Sequence, residues 1–198
     1  MILKLKHMIM KQEFLFGKKL LPILLLAGLV SCTGFVEVDP PKNIMVSETV
    51  FKDPSTVESA MADLYFSMRE SGMVSGNYGF TTRLALYGDE LDYYGSNTQL
   101  LEFYQNRVLP PNTEILAWWR QAYRVVYGAN AIVEGLEGET DFEESELNRF
   151  KGQALFVRAF MHSLLVSIFG NVPYITTTDY SMNSHVSRLP EDLVYESI

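Results

Sequence analysis

Cysteine is nearly absent from this 198-residue chain, where Cys32 stands alone. One cysteine forms no intramolecular disulfide and no CxxC metal site. Histidine is almost as scarce, with His7, His162 and His185 as the whole supply. A zinc or iron centre built on several imidazoles is therefore not expected, nor any other cofactor. Basic residues are also few beyond the first 31 positions: 11 basic and 23 acidic side chains remain, a formal charge of −12. A surface this acidic repels phosphate backbones and does not adhere to an anionic bilayer through charge, so nucleic acid is excluded as a partner. No GxSxG elbow, phosphate-binding glycine loop or Cys/His pair follows Cys32, and the expectation is a protein that is not an enzyme. Apolar residues nevertheless make up 47% of the chain, enough to bury a core.

The amino terminus has an order of its own. Lys18 and Lys19 precede an apolar run from Leu20 to Val30. That run of 11 residues contains Pro22 and is too short to cross a bilayer, but it is the size of a signal-peptide core. It ends in Leu29-Val30-Ser31-Cys32, an aliphatic residue, a spacer and a small residue ahead of a cysteine. The sequence therefore predicts a lipoprotein signal peptide over residues 1–31 and lipidation at Cys32. Two or three acyl chains on one residue anchor stably, since each buried CH₂ contributes about 0.8 kcal/mol. Residues 32–47 include Asp39-Pro40-Pro41 and little periodicity, and read as a lipidated tether.

From residue 48 onward the pattern becomes helical. Asp53-Pro54 reads as an N-cap and first helical position. Val57, Ala60, Met61, Leu64, Tyr65 and Met68 follow at spacings of three and four, with Gly72 and Gly76 beyond them as terminators. Residues 77–113 are less regular: Arg83 to Tyr87 fits a short helix or strand, and Gly88 to Gly95 reads as a polar aromatic loop. A second helix is expected over about Glu114 to Leu136 and a third over about Ser145 to Phe169, each with a sustained helical period. Gly170 is placed to end the third helix and Pro173 to prevent its continuation. Residues 174–178, Tyr-Ile-Thr-Thr-Thr, are β-prone. Leu189-Pro190-Glu191 opens a fourth helix with Val194 and Ile198 on one face. A short connection makes the second and third helices an antiparallel hairpin. A hairpin followed by another helix start suggests stacked helical repeats. The absence of a hydrophilic capping element makes this read as the first part of a longer protein.

Several residues invite a functional reading beside a structural one. Tyr93 and Tyr94 lie in the loop with Asp89, Glu90, Asp92 and Asn97. Aromatic faces beside carboxylates and amides suit carbohydrate, yet any long polar loop can hold them. Trp118 and Trp119 point to different sides of their helix, so one belongs in the core and the other is a sugar-stacking platform or an interface anchor. Arg158 sits among apolar residues and needs partners; a structural role outweighs an anion-binding one. Asn130 is read as a hydrogen-bonding link between helices.

Taken together, the segments resemble the SusD/RagB family of outer-membrane lipoproteins. Phe35 to Pro41, FVEVDPP, is similar to the family's opening. Trp118 to Ile132, WWRQAYRVVYGANAI, and Gly152 to Pro173, GQALFVRAFMHSLLVSIFGNVP, resemble its hairpin motif, with Trp118, Asn130, Arg158, Gly170 and Pro173 as motif positions. Arg188 to Ile198, RLPEDLVYESI, resembles its next helix. Gln153 and Ser163 depart from the pattern. The resemblance implies an all-α, tetratricopeptide-like stack of helical hairpins with irregular loops, present here as the incomplete amino-terminal domain, residues 48–198. It also implies a lipid-anchored protein at the outer-membrane surface. The expected partners are a SusC-like TonB-dependent transporter and an oligosaccharide or peptide ligand. Tyr93, Tyr94, Asp92 and Trp119 are the candidate ligand contacts. The alternative is a helical-repeat lipoprotein that scaffolds an envelope complex and binds no nutrient.

Overall fold

A computed structural model describes residues 50–70, 73–74, 79–138 and 142–198. Cys32, the signal and tether segments, Gly72 and Gly76 lie outside the described residues. The order of elements is α1 (Pro54–Glu70), α2 (Phe80–Tyr87), α3 (Thr98–Tyr104), α4 (Thr113–Gly135), α5 (Glu144–Phe169), β1 (Val172–Pro173), α6 (Tyr180–Asn183), β2 (Arg188–Leu189) and α7 (Glu191–Ser197).

Helix α1 starts where Asp53 can cap it. The Asp53 carboxylate accepts the Ser55 N–H at 2.8 Å and the Ser55 hydroxyl, and these bonds hold its pKa below the ordinary carboxylate value. Pro54 follows with no N–H to satisfy. Val57, Met61 and Leu64, at spacings of four and three, are the buried stripe.

The long helices α4 and α5 make the most extensive contact in the molecule. Their pairing is antiparallel: Trp119 meets Phe169, Tyr123 meets His162 and Asn130 meets Arg158, so one helix descends as the other rises. Trp118, Ala122, Val125, Val126, Ala129 and Ile132 line the inner face of α4. Phe150, Ala154, Val157, Met161 and Leu165 answer from α5, all fully buried. Each large side chain in such a seam contributes about 1.5–3 kcal/mol through the area it removes from water. α1 packs across this pair, and Val194 of α7 closes its far end.

Helix α5 is long and apolar enough to cross a membrane by length and composition alone. Its inner stripe is nevertheless the core partner of α4, which marks it as the central helix of a folded domain. The opposite face is apolar too: Leu155 and Phe156 are exposed, and the Phe156 and Phe160 rings lie parallel, with centroids 6.1 Å apart.

Gly170 ends α5 at φ +67°, a left-handed conformation that glycine adopts without a Cβ penalty, and its N–H reaches Val166 O at 2.9 Å. The chain turns there into β1, which pairs antiparallel with β2 in the register Val172↔Leu189 and Pro173↔Arg188.

Of the two readings open for residues 83–87, the helix is the one formed, as part of α2. Three sequence expectations are corrected. The irregular stretch 77–113 contains a further helix, α3, which Asn97 starts by accepting the Gln99 and Leu100 N–H groups. The β-prone stretch 174–178 is not a strand; the short strand lies at Val172–Pro173. Ile198 does not share the buried position of Val194 but is 40% exposed.

Candidate functional site

Three places gather the polar and aromatic side chains of the domain. The first is the loop after α2. Asp89 takes φ 57° as the chain leaves the helix, and the N–H groups of Glu90 and Leu91 fold back onto Ala85 O. Tyr93 is half-buried: its ring packs over Gly95 where no Cβ would fit, and its hydroxyl accepts the Asn97 N–H at 3.0 Å. Tyr94 is the opposite, 93% exposed, with its hydroxyl donating to Asp92 Oδ2 at 3.3 Å. The other Asp92 oxygen accepts from Tyr104 of α3 at 3.3 Å, and that carboxylate charge raises the Tyr104 pKa. The structure thus brings Asp92 and Tyr94 together with Tyr104, while Tyr93 serves as the prop of the loop.

The second place is a cavity of about 300 Å³ beside α4. Trp119 forms its aromatic wall, perpendicular to Phe169 with ring centroids 5.0 Å apart. Pro110 and Leu116 extend the apolar side, and Asn171 and Arg188 supply the polar side. Residues of the Tyr93–Tyr94 loop do not line it. Trp118, the neighbour in sequence, is 3% exposed and stacks edge-on against Phe80. One indole is core, the other borders the cavity.

The third place is the extended segment 173–179, which lies against the α4–α5 hairpin and is held almost wholly by side chains. Tyr123 donates to Pro173 O at 2.8 Å. The amide of Asn130, a fully buried residue, donates to Ile175 O at 3.2 Å and Thr177 O at 3.4 Å, while its oxygen accepts from Arg158 at 3.1 Å. Arg158 also reaches Thr176 O at 3.5 Å. The Glu134 carboxylate accepts the Thr178 N–H at 2.8 Å and the Thr178 hydroxyl. Burial raises the Glu134 pKa, but the bonds from Thr178 and Thr177 outweigh it and leave that carboxyl below its ordinary value.

His162 completes this set. Its Nε2 accepts the Ile175 N–H at 3.1 Å, so its Nδ1 carries the proton and donates to Arg158 O at 2.9 Å. Only the neutral ring can do both. Burial, with the Arg158 charge nearby, pushes its pKa down to about 4.

Tyr123, Glu134 and His162 were not singled out from the sequence. The available signal was spacing: Tyr123, Asn130 and Glu134 stand seven and four apart, on one side of α4, and Arg158 and His162 stand four apart on α5. A buried ion pair was missed as well. Arg83 of α2, 5% exposed, reaches Glu114 Oε2 at 2.7 Å. Its signal was the one that marked Arg158, a lone arginine in an apolar helix.

Comparison with known proteins gives one answer throughout. A SusD-like family model, described as starch-binding and associating with the outer membrane, matches residues 34–198. SusD-like protein P2 of Formosa agariphila is 32% identical over 180 residues, covering 89% of this chain and 35% of that protein. SusD-like protein P25 of the same organism is 24% identical over 166 residues, covering 78% of this chain and 30% of that protein. A crystal structure of a SusD superfamily protein from Bacteroides vulgatus superposes with a TM-score of 0.62 at 20% identity, over 75% of this chain and 33% of that one. The chain spans about a third of the length of these relatives.

Proposed function

This chain belongs to the SusD-like family, and on that premise we propose that it is a surface lipoprotein that binds glycan for uptake beside a SusC-like TonB-dependent transporter. Residues 1–31 are its signal peptide, Cys32 its acylated anchor and residues 32–47 its tether. Residues 48–198 are the amino-terminal helical domain. Binding is non-covalent and without turnover.

The observation that carries this reading is the family match across residues 34–198, with its outer-membrane and starch-binding description. Two features support it. Cys32 follows an apolar run and a small residue, as a lipid anchor requires. Aromatic faces stand at the surface next to hydrogen-bonding groups: Tyr94 beside Asp92, and Trp119 beside Asn171 and Arg188. Such pairs suit sugar rings, whose C–H faces stack on aromatics while their hydroxyls need acceptors and donors.

Calorimetry of the purified protein against a panel of oligosaccharides and peptides tests the ligand. Saccharide binding that copurifies with a barrel transporter is the expected result. Transporter association with no ligand bound would replace this reading by a scaffolding role, and hydrolysis products would make the protein an enzyme. The anchor has its own test. Cys32→Ala should leave the protein folded but move it from the detergent phase to the aqueous phase. Retention in the detergent phase would overturn lipidation at Cys32.

A further inference from the structure

The cavity beside α4 has an electrostatic character at odds with the rest of the chain. Only 11 basic residues follow position 31, against 23 acidic ones. Arg188 nevertheless stands on the cavity rim, exposed to solvent. Its position is fixed by backbone: Arg188 pairs with Pro173 across the short sheet, and Pro173 O is held by Tyr123. The Arg188 charge is close enough to act on the Tyr123 hydroxyl.

Two more arginines continue the theme. Leu116 lines the cavity, and Arg120 and Arg124 follow it at successive spacings of four on the exposed side of α4. The described arginines elsewhere often have acids: Arg69 pairs with Glu70, Arg83 with Glu114, and Arg149 with Glu58 and Glu146. Among the described residues no carboxylate pairs with Arg120, Arg124 or Arg188. Glu191, whose carboxylate lies over Gly170 near this rim, makes no ion pair with Arg188. One of these three cations, Arg188, thus lines an aromatic slot on an acidic protein, and the other two follow along the helix that carries its Trp119 wall.

The geometry points to this cavity as a subsite for an anionic sugar ring, one bearing a carboxylate or a sulfate. The proposal rests on the glycan-binding reading above and narrows its ligand class. Each part of the cavity meets one part of such a ring. The Trp119 wall takes an apolar C–H face. The Arg188 guanidinium offers a planar fork that matches a carboxylate or sulfate with two N–H bonds. The Asn171 amide serves a ring hydroxyl, being able to donate and accept. A volume of about 300 Å³ lies at the small end of ligand pockets and suits one ring of a longer chain, not a whole oligosaccharide. Arg120 and Arg124 then supply an attractive field for the neighbouring acidic units. A neutral glucan would leave the Arg188 charge in the cavity unanswered. An extended acidic peptide would use the arginines but would not need the indole wall beside an amide.

The experiment is calorimetric titration of the purified protein with a short oligogalacturonate, its neutral methyl ester, a carrageenan oligosaccharide and oligoglutamate. The first or third should bind at least about tenfold more tightly than the ester, and which of them prevails tells carboxylate from sulfate. Arg188→Gln alters an exposed side chain and should keep the thermal midpoint. It should remove that tenfold preference, weakening the acidic saccharide by far more than the ester. Trp119→Phe should weaken every saccharide. Failure of both the oligogalacturonate and the carrageenan oligosaccharide to bind more tightly than the ester, indifference to Arg188→Gln, or a preference for oligoglutamate would each overturn the inference. Binding of neutral saccharides alone would end it while sparing the glycan-binding reading, and no saccharide binding at all would end both.

Discussion

The segment after α5 and the loop after α2 are both non-helical, polar and rich in aromatic and hydroxyl side chains, yet they are held in opposite ways. The 173–179 segment is tied by residues far away in sequence: Tyr123 to Pro173, Asn130 to Ile175, Glu134 to Thr178 and His162 to Ile175. The loop is tied by its near neighbours: Asp92 to Tyr94, Tyr93 to Asn97, and Asp92 to Tyr104 of the following helix. Bonds of the first kind exist only when the hairpin is formed, so the segment and the hairpin stabilise one another. Bonds of the second kind form locally and leave the fold largely indifferent to the loop.

This comparison can be broken most forcefully at Asn130. Asn130→Ala should lower the unfolding free energy by about 4 kcal/mol, because it strips Arg158 and two carbonyls of their partner in a buried place. Chemical denaturation measures this directly. A loss under about 1 kcal/mol would show that water replaces the amide easily and that the segment is not integral to the hairpin.

His162 makes the same point through pH. Its folded pKa of about 4 lies below the ordinary 6.5, so the unfolded chain binds the extra proton between these values. Its contribution is fully present above pH 6.5 and is lost as pH falls toward about 4, a change on the order of 3 kcal/mol. The stability–pH curves of the wild type and His162→Gln should therefore converge over that window. Parallel curves would mean that His162 does not bridge Ile175 and Arg158 as a neutral ring.

Gly170→Ala tests the turn that delivers the segment. A Cβ at φ +67° meets Glu191 Oε1 at 3.1 Å, and a loss of about 1 kcal/mol is expected from thermal melts. The smallest effect belongs to the loop. Tyr94→Ala removes a side chain that is 93% exposed and should change stability by less than about 0.5 kcal/mol. A larger cost would show that the loop is structural after all.

The same contrast explains what the sequence could reveal. α1, α4 and α5 announce themselves because a long helix repeats its apolar stripe several times, as Val57, Met61 and Leu64 do in α1. α3 has seven residues and one buried side chain, Phe103, so it repeats nothing; its start was marked only by the Asn97 cap. Residues 174–178 carry β-branched side chains, and local preference alone favoured a strand. The partners that claim their backbone, Asn130, Glu134 and His162, lie outside any local window. The family resemblance pointed to Trp118, Asn130 and Arg158 without saying what each touches. The cavity at Trp119 was half legible, since two adjacent tryptophans cannot both face the core. Its arginine rim depended on β1–β2 pairing between positions 15 or more residues apart, which no spacing shows.

The side chains that claim the 173–179 backbone have one more effect. A stretch such as Tyr-Ile-Thr-Thr-Thr near the surface is the kind of sequence that recruits a neighbouring molecule by edge-to-edge pairing. Here the Ile175 N–H, the Ile175, Thr176 and Thr177 carbonyls and the Thr178 N–H are already engaged by His162, Asn130, Arg158 and Glu134. The side of the segment that faces the hairpin thus offers no open ladder for another chain to join. On that side the hairpin acts as its own guard against self-association.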